Sequence, residues 1–393
     1  MPSDLFFSER VPRTHNSNRL SDLLGRLRSE GRAIVNLAES NPTRCGIRQD
    51  WVLDSMATPE SLSYQPDPRG LLSAREALAE RLACAPDSLF LTASTSEAYS
   101  WLFKLLADPG DTILVPKPGY PLFDYLAGLE GVRVAPYRLA YAHPSGWTID
   151  RDSLEGAAAS IGAKAVVVIN PNNPTGSYLK KDERDFLRSL CAERGLALIS
   201  DEVFLPYALE ADASRASMAG SDACLTVTLD GLSKLLCLPQ VKLGWMRLDG
   251  PATLVEEAAA RLDIIADTFL SASAPAMNAL PDMLTRADAF VARLEGRLSG
   301  NLADLRSVFG APQSPYRVLR CEGGWTALLE CPRVESDEDM ALALLRDEGL
   351  YVHPGYLYDF EREGVLALSL LLEPEVFSAG VRALKRRLDR MIG

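Results

Sequence analysis

Five short stretches of this chain carry side chains that could do chemistry together. The first surrounds Lys234, within residues 228–245, TLDGLSKLLCLPQVKLGW. Lysine is seldom buried without a partner, yet this one stands between an apolar run and an apolar turn. Partial desolvation lowers a lysine's pKa and frees its amine to attack a carbonyl and form a Schiff base. A surface lysine that simply follows a strand fits the stretch equally well. The second is NPNNPTG, residues 170–176, directly after the apolar run AKAVVVI. Its prolines stiffen the loop and Gly176 supplies a permissive position, so Asn173 can present its amide at a fixed point. The third is Asp201, with Glu202 beside it, after LALIS. A carboxylate at the end of a buried strand stays ionised if a cation such as a protonated ring nitrogen faces it; a cap is the plainer reading. The fourth is Ser94, Thr95 and Ser96 at the start of a helical pattern, where hydroxyls and free amides can bind an anion or merely cap. The fifth is Tyr120 in KPGYP, which could stack on a flat ring or pack on the core.

Each of these loops follows a candidate strand. SLFLTA, DTILVP, GVRVAPY, AKAVVVIN, LALISDE, CLTVTLD and KLGWMRL read as strands, and SEAYSWLFKLLA, PLFDYLAGLE and KKDERDFLRSLCAERG as helices between them. Runs such as AVVVI are apolar on both faces, as strands covered by helices on both sides must be. Alternation of this kind predicts an α/β domain with a mostly parallel sheet whose ligands sit at the carboxyl ends of the strands. Residues 251–309 read as long helices. A hairpin, a helix, a strand and a last amphipathic helix follow, forming a smaller α+β unit. The expected division is an N-terminal arm and part of the small domain over 1–45, a large α/β domain over 46–275 and the small domain over 276–393.

The bulk numbers agree with that plan. A chain of 393 residues exceeds what one core usually serves, so two domains are expected. A formal charge of -12 argues against nucleic acid or an anionic membrane as the partner. The seven cysteines include no CxxC, which suggests neither a zinc site nor a disulfide framework, and points to thiols in a reducing cytosol. The N-terminal stretch lacks a signal-peptide core and no apolar run is long enough to span a bilayer. A cytoplasmic protein is expected.

Taken in order, the Ser/Thr loop, Tyr120, NPNNPTG, SDE and SK…LG resemble the class I and II aminotransferases, which are fold-type I pyridoxal-phosphate enzymes. The resemblance runs from LAESNPT to the last helix. It implies the fold-type I transferase architecture with a seven-stranded sheet, pyridoxal 5'-phosphate held as a Schiff base on Lys234, and Lys234 as the proton shuttle. It places Asp201 at the ring nitrogen, Asn173 at the ring hydroxyl oxygen, Phe204 near that oxygen and Tyr120 stacked on the ring. Ser94, Thr95, Ser96, Ser233 and Lys242 would hold the phosphate. Tyr64 would reach the phosphate of the neighbouring subunit, which implies a homodimer with shared sites.

The chain departs from that family's pattern at several points. Phe204 stands where a tyrosine usually touches the ring oxygen, Gly231 where a serine usually binds phosphate, Lys242 where an arginine is usual and Ser94 where a glycine is. The sharpest departure is Ala367, in Leu366-Ala367-Leu368-Ser369, where the family carries the arginine that clamps the substrate α-carboxylate. Either Arg44 or Arg69 on the N-terminal loops, with Asn41 nearby, takes that task, or the substrate presents no carboxylate there. Only three histidines occur, at 15, 143 and 353, all outside these motifs, so Lys234 is the natural acid and base. The first expectation is amino-group transfer between an amino acid or amine and an oxo acid. A lyase, replacement enzyme or oxidase on the same fold is the second. A non-catalytic member is the third, and joint retention of Lys234, Asp201 and Asn173 argues against it.

Overall fold

A computed structural model describes residues 7–12, 18–160, 162–211 and 215–392. Its centre is a mixed sheet of β1 (Leu89–Thr92), β2 (Thr112–Lys117), β3 (Arg133–Ala142), β4 (Gly146–Ile149), β5 (Ala163–Ile169), β6 (Ala197–Asp201), β7 (Thr226–Gly231) and β8 (Gly244–Asp249). The spatial order is β1-β8-β7-β6-β5-β2-β3-β4. All seven expected strands are present, and β4 makes an eighth. It is a four-residue strand in HPSGWTID that pairs antiparallel with an extended β3, Tyr141 opposite Trp147. So short a run carries little periodic signal; the hairpin turn at Gly146, with φ +97, and the burial of Trp147 make it a strand.

Strand β7 runs antiparallel to β8, and β8 antiparallel to β1, while β7, β6, β5, β2 and β3 are successively parallel. The carboxyl ends of β1, β2, β5, β6 and β7 therefore lie along one edge, together with the start of β8. All the loops singled out above emerge at that edge. Alternate residues of β5 feed two cores. Val167 and Ile169 join Tyr99, Phe103 and Leu262 on one face, and Val166 and Val168 join Leu187 and Leu190 on the other.

A second sheet contains β9 (Arg317–Val318), β10 (Thr326–Glu330), β11 (His353–Pro354) and β12 (Val365–Ser369), in the antiparallel order β9-β10-β12-β11. Leu366, Leu368, Ala327 and Leu329 pack on the helices Ala287–Phe309, Asp337–Glu348 and Pro374–Ile392. The N-terminal segment joins this unit, since Val35–Asn36 pairs parallel with Leu350–Tyr351 and Leu20, Leu23 and Leu27 enter the same core.

Candidate active site

Lys234 sits in a four-residue helix, Leu232–Leu235, at the end of β7. The Tyr207 hydroxyl donates to the carbonyls of Lys234 and Leu235 at 2.8 and 3.0 Å, which fixes the turn through its backbone and leaves the amine to the site. Lys234 Nζ lies 5.7 Å from the Phe204 ring centroid and 5.4 Å from that of Trp325. Burial lowers the pKa of this ammonium, opposed by the charge of Asp201, so a larger neutral fraction is available to act as nucleophile. Asp201 ends the neighbouring strand. Burial raises its pKa to about 6, opposed by the Val203 N–H, the Tyr99 hydroxyl and Lys234. The Tyr99 hydroxyl donates to Asp201 Oδ2 at 3.0 Å. A fully packed tyrosine on the Thr95–Leu106 helix gives no periodic clue to that task.

In 170–176 two of the three asparagines brace the loop. Asn170 accepts from the Leu179 N–H and donates to the Ala216 carbonyl; Asn172 accepts from Thr175 Oγ1 at 2.9 Å. Gly176 has φ +69, and a Cβ there would meet Cys321 Sγ and the Gly323 carbonyl at 2.7 Å. The turn at 320–324 docks in that space, with the N–H groups of Glu322 and Gly323 donating to the Gly176 carbonyl. The buried carboxylate of Glu322 takes the Tyr178 N–H and the Lys180 ammonium. That docking delivers Trp325 and Thr326 to the edge. Asn173 is left half-buried, with the Thr326 hydroxyl 3.5 Å from its Oδ1. Trp325 packs edge-on to Phe204 and Tyr207.

Ser94 caps the Thr95–Leu106 helix, its Oγ accepting from the Glu97 N–H. The backbone N–H groups of the first helical turn, Thr95 and Ser96 among them, have no acceptor within the helix. Burial and the charge of Asp201 raise the Tyr120 phenol's pKa, opposed by the Ser96 hydroxyl. Gly231 and Gly244 are cross-strand partners. A Cβ at 231 would stand 3.0 Å from Gly244 Cα, and one at 244 would stand 3.1 Å from the Ser94 carbonyl carbon and 3.2 Å from the Thr95 nitrogen. The two glycines thus let the Ser94–Thr95 turn lie directly on the β7–β8 ladder, which accounts for glycine in place of serine at 231. Lys242 is exposed and takes φ +58, a left-handed conformation that costs a non-glycine residue about 1–2 kcal/mol. Gly244→Ala should push the Thr95 and Ser96 amides out of line and weaken binding of a phosphorylated ligand about tenfold, the effect of a lost hydrogen bond or two. Titration of the apoprotein with pyridoxal phosphate checks this.

The remaining candidates fall differently. Tyr64 is 80% exposed, on the loop between the short helix Pro59–Leu62 and the helix Leu72–Leu82. Asn41 caps the short helix Pro42–Arg44, its Oδ1 accepting from Thr43. Arg44 lies 3.7 Å from Glu39 with its side chain largely exposed. Arg69 is turned away from carboxylate recognition: its guanidinium grips Asp263 through Nε and Nη2 at 2.6 Å each and donates to the Asp87 carbonyl. Arg69→Gln should therefore lower stability by roughly 1 kcal/mol, as for a partly exposed ion pair, and leave KM for every substrate unchanged. Thermal melts and steady-state kinetics check both halves.

An edge with a nucleophilic amine, a buried carboxylate at the adjacent strand end, an amide-bearing loop and an anion-binding helix start suits a flat, phosphorylated heteroaromatic aldehyde. Comparison with known proteins gives the same class. Residues 34–375 match the family described as aminotransferase class I and II. The chain is 30% identical over 336 residues to the S-alkyl-thiohydroximate lyase SUR1 of Arabidopsis thaliana, covering 79% of this chain and 70% of that one. It is 28% identical over 347 residues to the glutamate-pyruvate aminotransferase AlaA of Haemophilus influenzae, covering 84% of each. The crystal structure of an aminotransferase from Escherichia coli superposes with a TM-score of 0.87 over 98% of this chain and 99% of that one, at 23% identity, and so speaks for the fold. The chain belongs to the class I and II aminotransferases. It is a pyridoxal-phosphate-dependent enzyme of fold type I that moves amino groups between amino and oxo compounds.

Proposed function

We propose that Lys234 carries both the nucleophilic and the proton-transfer work, with the cofactor held as the edge described above implies. The observation that supports this most is the placement of Lys234 and Asp201 at adjacent strand ends, Asp201 buried and Lys234 partly so, with the charge of each shifting the other's pKa. The cradle fits the group. Burial raises the pKa of the Asp201 carboxyl, so a cationic ring nitrogen would suit it, and the Thr95 and Ser96 amides at the helix start have no acceptor within the helix. When bound, pyridoxal phosphate supplies the carbonyl that takes up the amino group and a ring that accepts the electron pair of the donor's C–H bond. Asp201 would hold the ring nitrogen protonated. Asn173 would offer its amide Nδ2 to the ring oxygen, since the Thr326 hydroxyl lies at its Oδ1. Phe204 and Trp325 would keep water from the amine, and Tyr120 would stack on the ring. Ser94, Thr95, Ser96, Ser233 and Lys242 would hold the phosphate. Lys234 Nζ takes the proton from the donor's amine-bearing carbon and later returns it.

The exposure of Tyr64, Leu62 at 91% and Ile264 at 71% supports a homodimer in which Tyr64 completes the neighbour's site. Seven free cysteines support a cytoplasmic location; among the described residues no helix is long and apolar enough to cross a membrane. Pairing of Val35–Asn36 with Leu350–Tyr351 supports a division into 46–275 and 276–393 with 1–45 joined to the latter.

A second reading, a lyase, is favoured by the SUR1 relative together with Phe204 and Ala367. One experiment separates the two. Holoprotein mixed with an amino donor and no acceptor should lose the cofactor's aldehyde absorption in step with one carbonyl product per site. A lyase would release product turn after turn with the absorption restored.

A further inference from the structure

We propose that the amino donor carries a neutral polar group, not a carboxylate, on its amine-bearing carbon, and that His353 and Tyr358 receive that group. The donor is then an amino alcohol, an amino amide or a related neutral amine. This rests on the aminotransferase reading above.

The register of the second sheet carries the inference. Thr326 pairs with Ser369, Leu328 with Ala367, and Ala367 in turn with His353. Side chains alternate along strands, so Thr326, Leu328, His353, Ala367 and Ser369 share one face. Thr326 marks it as the face that meets Asn173. His353 and Ala367 lie about 7 Å farther along and within one strand spacing of each other, about 5 Å. From the other side the Gly119 N–H donates to the Tyr358 carbonyl at 3.2 Å, tying Tyr358 to the loop that bears Tyr120. The His353–Tyr358 pair therefore stands between the two loops that flank the cofactor position.

This wall is neutral. Ala367 is 1% exposed and packs with Trp147, Leu319, Leu328 and Val365. His353 Nδ1 and the Tyr358 hydroxyl are 3.1 Å apart. Burial pushes the imidazole down to about 4, against the nearby Glu39 charge, and pushes the phenol up to about 12, so at neutral pH both are uncharged. Cations on the segments around the wall each face a carboxylate: Lys117 faces Asp359 at 3.3 Å, Arg44 faces Glu39 at 3.7 Å, Arg362 faces Glu330 through Nη1 at 2.7 Å, and Lys180 faces Glu322. A carboxylate brought here would lose its water and find two neutral donors with Glu39 and Asp359 close by. Burying an anion without a cation is unfavourable, whereas a hydroxyl or amide exchanges hydrogen bonds with an imidazole and a phenol at little penalty. The overall exchange balances: the donor's C–N and C–H bonds give way to C=O, a two-electron oxidation, while the oxo acceptor's C=O becomes CH–NH2.

The test uses holoenzyme and two matched donor series, L-alanine, L-alaninamide and L-alaninol, and the same three derivatives of L-phenylalanine, with L-glutamate added. Carbonyl product is measured in single half-turnovers. The amide or alcohol should exceed the matching acid in rate over concentration by about tenfold or more, the value of a well-placed hydrogen bond against none. Tyr358→Phe should shrink that ratio toward one, whereas a merely structural role would lower acid and amide alike. An acid that equals or beats its amide, or reaction with glutamate alone, would overturn the proposal and leave an aminotransferase. Loss of the acid's advantage in Arg44→Gln would then name Arg44 as its partner. No product from any donor would overturn the aminotransferase reading, and this proposal with it.

Discussion

Lys234→Ala should abolish amino transfer, lowering the rate by at least about 10⁴-fold, the upper range of a general acid–base contribution, because the same amine is also the nucleophile. The fold should survive. Tyr207 holds the lysine turn through the carbonyls of residues 234 and 235, and truncation removes neither bond. The side chain also pays a desolvation penalty beside Phe204 and Trp325, since burial lowers its pKa; its removal should leave the melting temperature unchanged or slightly raised. The measurement is single-turnover product formation beside cofactor occupancy after gel filtration. Retained occupancy with lost turnover separates the chemical role from phosphate binding, which belongs to the Thr95–Ser96 turn and its neighbours. A variant that still turns over at a tenth of the parent rate would remove Lys234 from both roles.

Asp201→Asn should reduce turnover by about 10²–10⁴-fold, the range seen when a group that tunes proton transfer is lost. An amide cannot hold a cationic ring nitrogen. The wild-type pH dependence follows from the same carboxyl. Its pKa is raised to about 6 in the folded protein against an ordinary value near 4. This carboxyl therefore binds an extra proton in the folded apoprotein between roughly pH 4 and 6, and its contribution to stability falls as pH rises through that window. Cofactor binding has the opposite sign: it needs the ionised carboxylate, so affinity should weaken as pH drops through about 6. Pyridoxal phosphate titrations from pH 5 to 8, with thermal melts of the apoprotein over pH 4 to 7, check both directions. In Asp201→Asn the affinity profile should lose its slope near pH 6 and the melts should lose this carboxyl's share of the slope between pH 4 and 6; an affinity profile that kept its slope would assign the titration to another group.

Much of the site was legible because its residues are local to strand ends. A strand buried on both faces followed by NPNNPTG can scarcely be anything but a loop at the carboxyl edge of a parallel sheet, and LALIS before Asp201 sets the same edge. Lys234, Asn173 and the Ser94–Ser96 turn all reach it by that logic. Residues that support them were not legible. Tyr99 lies on the apolar stripe of a helix and reads as core, yet its hydroxyl meets Asp201. Thr326 is distant in sequence from Asn173 and meets it only because Gly176 leaves room for the 320–324 turn.

The arginines show the converse. Arg69 has the right chemistry for a carboxylate and lies in the right part of the sequence, but Asp263, on a helix almost two hundred residues away, already occupies its guanidinium. His353 sat outside every motif, and only the pairing of β11 with β12 puts it opposite Ala367. By itself the sequence determined the class of cofactor chemistry and the strand ends that carry it, since burial pattern and turn composition are local properties of the chain. Only the tertiary structure decided which charges are free, which polar groups brace the loops and what faces the substrate, because partners distant in sequence are selected by packing and register.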